Sequence, residues 1–186
     1  ILKEALEELG AECQVYLPNR FTDGYGPNQS VYKYFIEQQA VSLIVTVDNG
    51  VAGHEAIAFA QEAGVDVIVT DHHSLPNQLP DAYAIIHPEH PAGNYPFKEL
   101  AGCGVAFKLA TALLEQVQTD LLDLVAIGTI ADMVSLTDEN RVMVQYGLSL
   151  LKQSERIGLQ EMMRLAGLEP SQVNEETVGF QLAHRL

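Results

Sequence analysis

Acidic and imidazole side chains follow two apolar runs of strand length. Asp48 comes directly after the run LIVTV, and Asp71, His72 and His73 come directly after DVIVT. In an open α/β sheet the carboxyl ends of neighbouring strands meet at one crevice, so we expect these side chains to face a common site. Carboxylate and imidazole groups without thiolates favour Mn²⁺, our first expectation, or Mg²⁺, although imidazole also binds Zn²⁺ and Co²⁺.

Each of these motifs also has a simpler structural interpretation. Asp48, followed by Asn49 and Gly50, could form a turn in which the aspartate caps the next helix. His72 and His73 could be two exposed loop histidines. The joint occurrence of both motifs after apolar strands favours the functional interpretation.

A third candidate is Asp132, which lies among apolar neighbours in GTIADMV. Burying an unpaired carboxylate is costly unless the group meets a cation or a hydrogen-bond donor. The pattern therefore indicates either a metal ligand or a hydrogen bond at a helix end or between helices.

Weaker candidates for substrate contacts lie elsewhere. Gly102 and Gly104 begin a predicted helix whose free backbone N–H groups could receive a phosphate, with Lys108 one turn further on. The alternative is a close-packed helix start. Arg20, Tyr25 and Arg185 could contact a nucleic-acid strand by charge or stacking, and solvated or core roles are the alternatives. We predict that the histidines outside the motifs are ordinary loop or helix-start residues: His54, His87 and His90.

Alternating helices and strands position these residues. The first half of the chain predicts, in order, a helix ending at Gly10, a short strand at 12–18, a helix over Gln29–Gln39, the strand SLIVTVD, the helix GHEAIAFAQEAG, the strand DVIVTDHH and a strand in AIIHP. Such alternation predicts an α/β fold with a doubly wound, mostly parallel sheet. From about Cys103 the periodicity becomes helical. We predict a partial α/β domain over residues 1–135 and a helical continuation over residues 136–186, with the boundary near SLTDE.

Composition narrows the functional classes. The chain has 186 residues, 47% of them hydrophobic and 19% charged, which is enough for one sizeable core. No apolar stretch approaches the roughly 20 residues that span a bilayer, so we expect a cytoplasmic protein without a membrane partner. Cys13 and Cys103 lie far apart and predict neither a disulfide framework nor a zinc knuckle. The net charge of -15 is unfavourable for phosphate binding but suits a site for divalent cations.

Three segments resemble signature motifs of the DHH phosphoesterase family, in order and spacing: VDNG at 47–50, DHH at 71–73 and GTIADMV at 128–134. Three further segments resemble its RecJ-type branch: PNRFTDGYGPN at 18–28, HPEHPAGNYPFKELAGCGVAFKL at 87–109 and the terminal VGFQLAHRL. The resemblance covers essentially the whole chain.

The resemblance implies a role for each motif. It implies that Asp48, His72 and Asp132 are metal ligands, and that Asp71 and His73 are orienting or phosphate-facing groups. The implied reaction is hydrolysis of a DNA phosphodiester by a metal-activated water between two Mn²⁺ or Mg²⁺ ions about 3.5 to 4 Å apart. The implied function is a 5′-to-3′ exonuclease on single-stranded DNA in repair and recombination, with single-strand-binding protein as a possible partner.

The family normally opens with an aspartate-bearing motif on a preceding strand, and the chain starts at Ile1 without it. We therefore expect a piece of a longer protein that lacks this motif and the C-terminal domains, and we expect the piece alone to be inactive. Two alternative functions remain open. One is another DHH-family hydrolase of small oligonucleotides, pyrophosphate or polyphosphate, and the other is a non-catalytic nucleotide-binding or partner-binding module.

Overall fold

The structure, a computed structural model, describes residues 1–185 apart from the side chain of His184. Its contacts divide the chain into two compact units. The sheet unit comprises residues 12–98, and the helical unit joins residues 1–11 to the chain from residue 99 onward. In chain order the described elements are α1 (Leu2–Glu8), α2 (Gln29–Gln39), β1 (Leu43–Val47), α3 (His54–Glu62), β2 (Asp66–Thr70), β3 (Ala84–Ile86), α4 (Gly102–Leu114), α5 (Leu122–Ala131), α6 (Asp138–Leu151), α7 (Ile157–Ala166) and α8 (Glu175–Thr177).

The sheet unit is built on three parallel strands in the order β1-β2-β3. The strand β2 is the central one, and its Val67 and Val69 are fully buried, as expected for a strand covered on both faces. Ile57 of α3 and Tyr32 of α2 pack into the same core. The sequence prediction of an α/β fold with a parallel sheet is confirmed, including the short strand in AIIHP.

The helix α2 has clear start and stop signals. The side chain of Asn28 accepts hydrogen bonds from the backbone N–H groups of Ser30 and Val31, at 2.9 and 3.3 Å. The helix ends at Gln39, and the left-handed backbone of Ala40 turns the chain toward β1. The predicted bounds Gln29–Gln39 are confirmed.

The predicted strand at 12–18 is wrong. These residues are all described and form neither a strand nor a helix. Alternating apolar residues had suggested a strand, but Val15 and Leu17 are largely exposed, at 63% and 84%. No strand among the described residues pairs with this segment, and local side-chain contacts hold it instead. The Tyr16 hydroxyl donates to Asp23 at 2.6 Å, and the Tyr16 and Phe35 rings form a T-shaped contact with centroids 5.4 Å apart.

The helical unit confirms the predicted helical second half. Its core joins α5, α6, α7 and the C-terminal helical stretch at 175–185 through apolar residues such as Ile127, Leu151 and Val178. The helices α5 and α6 approach closely at Gly147, where an added Cβ would lie 2.5 Å from the Cβ of Ala126. The predicted domain boundary between 135 and 136 stays a prediction, and α5 and α6 pack together on either side of it. Within residues 1–185, no helix is both long and apolar enough to cross a membrane.

Candidate metal centre

The turn after β1 holds Asp48 in an unusual backbone conformation. Asp48 has a φ of 63°, in the left-handed region that few residues other than glycine adopt, although aspartate tolerates it. Its N–H donates to the carbonyl oxygen of Thr70 at 2.9 Å, which ties the turn to the end of β2. At Gly50, with a φ of 126°, a Cβ would lie 2.6 Å from Thr46 Oγ1, so the turn requires glycine there.

The end of β2 places Asp71 at the centre of a hydrogen-bond network. The side chain is 1% exposed. Its Oδ2 accepts from the N–H of Val51 at 3.0 Å, and its Oδ1 accepts from the N–H groups of His72 and His73 and from His73 Nδ1, at 2.8, 3.2 and 2.7 Å. Burial alone would raise the pKa of this carboxyl, but the hydrogen bonds from Val51, His73 and His72 together lower it below its ordinary value. Asp71 is therefore an ionised anchor for the loop.

Three side chains converge beside this anchor. His72 Nε2 lies 3.0 Å from Asp48 Oδ1, and the rings of His72 and His73 have centroids 4.6 Å apart. Potential ligand atoms of Asp48, His72 and His73 all lie within 4.8 Å of one another. The side chain of His72 is only 12% exposed, whereas Asp48 and His73 are more than half exposed. The cluster thus offers one carboxylate and two imidazoles on a side open to solvent, a mixed donor set that suits Mn²⁺ and, through the carboxylate, Mg²⁺.

Asp132 lies in the helical unit, at the C-terminal end of α5. Its N–H donates to the carbonyl oxygen of Gly128 at 3.0 Å and closes the last helical turn. The burial expected from its apolar neighbours is wrong, because the helix ends at this residue and Asp132 is exposed. Met133, which follows with a φ of 58°, is 90% exposed. The role of Asp132 as a metal ligand stays a prediction.

Comparison with known proteins identifies the family of this chain. A family model described as the N-terminal domain of the DHH family matches residues 1–129. The chain belongs to the DHH family.

Individual relatives of this DHH-family chain are RecJ exonucleases. It is 51% identical to the single-stranded-DNA-specific exonuclease RecJ of Bacillus subtilis (strain 168), over 100% of this chain and 24% of that protein. A crystal structure of exonuclease RecJ bound to manganese has a TM-score of 0.84 at 34% identity, over 98% of this chain and 46% of that chain. RecJ from Thermus thermophilus in complex with Mn²⁺ has a TM-score of 0.79 at 31% identity, over 98% of this chain and 26% of that chain. The chain thus spans about a quarter of its Bacillus relative.

The glycines of the DHH-family chain at the start of α4 are packed against neighbours. Gly102 and Gly104 are buried, and a Cβ at Gly104 would lie 3.4 Å from the Leu100 side chain. Lys108 Nζ lies 2.7 Å from Glu139 Oε1. These contacts support the close-packed alternative, and a phosphate contact at these residues stays a prediction.

The other candidate contacts are more open. The Arg20 guanidinium lies 5.8 Å from the centroid of the Tyr25 ring, a cation–π distance, and both residues belong to the loop before α2. Tyr25 is 83% exposed. Arg185 is exposed and donates to the carbonyl oxygen of Gln181. Their contact with DNA stays a prediction.

Sequence reasoning missed one residue of the DHH-motif environment. His87, predicted to be an ordinary loop histidine, is buried, and its Nε2 lies 2.8 Å from the carbonyl oxygen of His73. His87 directly follows β3, so the strand-end argument applied to Asp48 and Asp71 would have identified it. His54 begins α3 and is exposed, and the ring of His90 accepts from the N–H of Ala92 at 3.2 Å.

Proposed function

We propose that the protein carrying this chain is a metal-dependent exonuclease that hydrolyses phosphodiester bonds of single-stranded DNA in the 5′-to-3′ direction, in DNA repair and recombination. The observation that carries the proposal is the convergence of ligand atoms from Asp48, His72 and His73 within 4.8 Å. It occurs at strand ends of a chain that is similar over its full length to a single-stranded-DNA-specific exonuclease.

The proposed cofactor is Mn²⁺ or Mg²⁺, as a pair in the complete protein. The short distance between Asp48 and His72 supports both as ligands of one cation, and the closeness of His73 supports a ligand role for it as well. Asp132 is proposed as a further metal ligand. A bound divalent cation would stabilise charge on the scissile phosphate and lower the pKa of the attacking water.

The chain's own residues prepare the site for this chemistry. Asp71 accepts the Nδ1 proton of His73, which leaves the lone pair of His73 Nε2 available to a metal ion, or the Nε2–H of the imidazolium available to a phosphate. Because Asp71 is ionised and saturated with donors, it orients the loop and does not serve as a proton donor. The exposure of Asp48 and His73 leaves the site accessible to a DNA strand.

Substrate and partner contacts are proposed for several residues. Arg20 and Tyr25 form an exposed cation–aromatic pair of the kind that binds single-stranded DNA by charge and stacking. Arg185 and the start of α4, with Gly102, Gly104 and Lys108, are further proposed contacts. Single-strand-binding protein is a proposed partner, and the cytoplasm is the proposed location.

The test uses a full-length protein that carries this sequence, 5′-labelled single-stranded DNA and Mn²⁺. Loss of one ligand of a catalytic cation often costs several kcal/mol of transition-state stabilisation, so His72→Ala should lower the rate at least about a hundredfold. His54→Ala, which changes an exposed histidine at the start of α3, should retain the wild-type rate. Equal rates for the wild type and His72→Ala would remove the proposed centre from the reaction.

The net charge of -15 favours a second candidate, a DHH-family hydrolase of small phosphate compounds, because such substrates need no long basic channel. The same assay with pyrophosphate, polyphosphate and two- to five-nucleotide oligomers separates the two candidates. Preferred turnover of the small substrates would replace the exonuclease assignment.

A further inference from the structure

The side chain of His87 is engaged at both ring nitrogens. His87 directly follows β3 and is 7% exposed. Its Nδ1 lies 3.0 Å from the N–H of Glu89, and its Nε2 lies 2.8 Å from the carbonyl oxygen of His73. A backbone N–H can only donate and a carbonyl can only accept, so Nδ1 is the acceptor and Nε2 carries the proton. The two contacts thus define the neutral Nε2–H tautomer.

These contacts connect the DHH motif to β3. The His73 N–H and Nδ1 both donate to Asp71, and the His73 carbonyl accepts from His87. The Asp71 N–H in turn donates to the carbonyl oxygen of Ile86 at 3.2 Å. The backbone and ring of His73 are therefore held from two sides, by the carboxylate at the end of β2 and by the imidazole at the end of β3.

We propose that His87 is a positioning residue for the metal centre: its Nε2–H fixes the peptide after His73 and thereby the direction of the His73 ring toward a bound divalent cation. The proposal rests on the proposed function for the identity of the cation. Side chains behind a ligand typically change metal affinity by 10- to 100-fold when they are removed, because they fix ligand orientation.

A core histidine with a purely structural role would behave differently. Its removal would lower the stability of the fold and leave the affinity of the folded protein for Mn²⁺ unchanged. The positioning role predicts a change in affinity at equal folded fraction. It also predicts rescue by glutamine, whose amide nitrogen lies close to the place of the histidine Nε2 and can donate to the same carbonyl.

The experiment compares His87→Leu, His87→Gln and the control His90→Leu in a full-length protein that carries this sequence. His90 is the matched control because it lies in the same loop and makes the same kind of local contact. Its Nδ1 accepts from the N–H of Ala92, two residues later, as His87 Nδ1 accepts from the N–H of Glu89. Calorimetric titration with Mn²⁺ alone should show affinity lowered about 10- to 100-fold in His87→Leu, mostly restored in His87→Gln and unchanged in His90→Leu. Circular dichroism gives the folded fraction of each variant.

Nitrogen NMR of the imidazole rings provides a second readout on the wild type, which does not depend on the folding of any variant. The spectra should show His87 as the neutral Nε2–H tautomer. An Nδ1–H tautomer, or wild-type affinity for Mn²⁺ in folded His87→Leu, would overturn the proposal. A wild type that binds Mn²⁺ but cleaves no single-stranded DNA would instead contradict the proposed function and leave the affinity comparison to decide the role of His87.

Discussion

At the scale of single residues, Asp48 combines a strained backbone with a proposed role as a metal ligand. Its left-handed φ of 63° is a conformation that costs most non-glycine residues about 1 to 2 kcal/mol, and that aspartate and asparagine adopt more readily. Strain of this kind is concentrated at functional sites, where the surrounding structure holds it. Here the bond from the Asp48 N–H to Thr70 and the glycine at position 50 hold the turn.

Two substitutions at Asp48 separate backbone strain from metal binding. Asp48→Asn and Asp48→Ala both remove the anionic ligand, so each should lower Mn²⁺-dependent cleavage at least about a hundredfold. Only Asp48→Ala also loses the side chain that suits the left-handed turn, and it should be less stable than Asp48→Asn by about 1 kcal/mol. Urea denaturation of both variants without metal measures the difference. Equal stability of the two variants would show that the left-handed turn does not favour asparagine over alanine.

Tyr32 gives a residue-scale prediction about stability. Its hydroxyl is buried and has no hydrogen-bond partner among the described residues, and the burial raises the pKa of Tyr32 to about 12. An unpaired buried hydroxyl costs about 1 to 3 kcal/mol, so Tyr32→Phe should increase the free energy of unfolding by about 1 kcal/mol. Thermal denaturation at pH 7 measures this change. A destabilised Phe variant would indicate a favourable polar contact at the hydroxyl.

The same hydroxyl predicts a pH dependence. Unfolded tyrosine releases its proton near pH 10, whereas folded Tyr32 keeps it to about pH 12. Between these values the unfolded state binds fewer protons, so stability falls as the pH rises through this window, by up to about 1.4 kcal/mol per pH unit. Tyr32→Phe has no such hydroxyl, so its free energy of unfolding should fall less over the same pH range. Parallel stability curves for the two proteins from pH 9.5 to 11.5 would contradict the assignment.

At the scale of elements, helix packing in the helical unit depends on one glycine. A Cβ at Gly147 of α6 would collide with the carbonyl oxygen of Leu122 and with Ala126 on α5, and a carbonyl in a helix cannot move aside. Gly147→Ala should therefore lower the free energy of unfolding by about 2 kcal/mol or more, despite the better helix propensity of alanine. Gly158→Ala in α7 is the control, because nothing lies within 4 Å of its added Cβ, and it should gain up to about 1 kcal/mol. Thermal denaturation should give a lower melting temperature for Gly147→Ala and a higher one for Gly158→Ala than for the wild type.

The elements also explain which predictions from the sequence were correct. Asn28 before α2 and the apolar runs of β1 and β2 are local signals, and the structure confirms the helix and both strands. The segment at 12–18 has a similar apolar pattern, but a strand also needs a hydrogen-bonded neighbour, which a local pattern does not reveal. Strand existence therefore depends on pairing as much as on composition.

The candidate site was predictable to the extent that strand ends define it. Asp48 and His72 meet as predicted because parallel strands with matched register, such as Val47 beside Thr70, end at the same edge. The exposure of Asp132 depends on where α5 ends, and apolar neighbours in the sequence did not reveal it. The proposed role of His87 depends on its contact with His73, which lies 14 residues earlier in the sequence. The pairing of β2 with β3 brings the two residues together, and a local sequence pattern does not reveal it.

At the scale of the whole molecule, the excess of acidic residues opposes binding to the phosphates of DNA. The sheet unit has three Lys or Arg residues and ten Asp or Glu residues. Lys33 and Lys98 lie 3.8 and 4.0 Å from the carboxylates of Glu37 and Glu89. Phosphate binding by proteins draws on basic residues that displace counterions, and its strength falls steeply with salt. With a net charge of -15, the chain repels DNA unless divalent cations offset its carboxylates.

The 186-residue chain, purified alone, should therefore show no processive release of mononucleotides from 5′-labelled single-stranded DNA, even with Mn²⁺. Asp48, His72 and His73, with the predicted ligand Asp132, provide donors for about one cation, whereas the proposed reaction uses a pair. In EDTA the chain should not bind a fluorescent strand of about 20 nucleotides at about 100 mM salt, and lowering the salt should not create binding, because the net interaction is repulsive. Mn²⁺ should bind weakly by calorimetry, and His72→Ala should abolish that binding. Tight DNA binding in EDTA that weakens steeply with salt would reveal a basic surface strong enough to overcome the net charge.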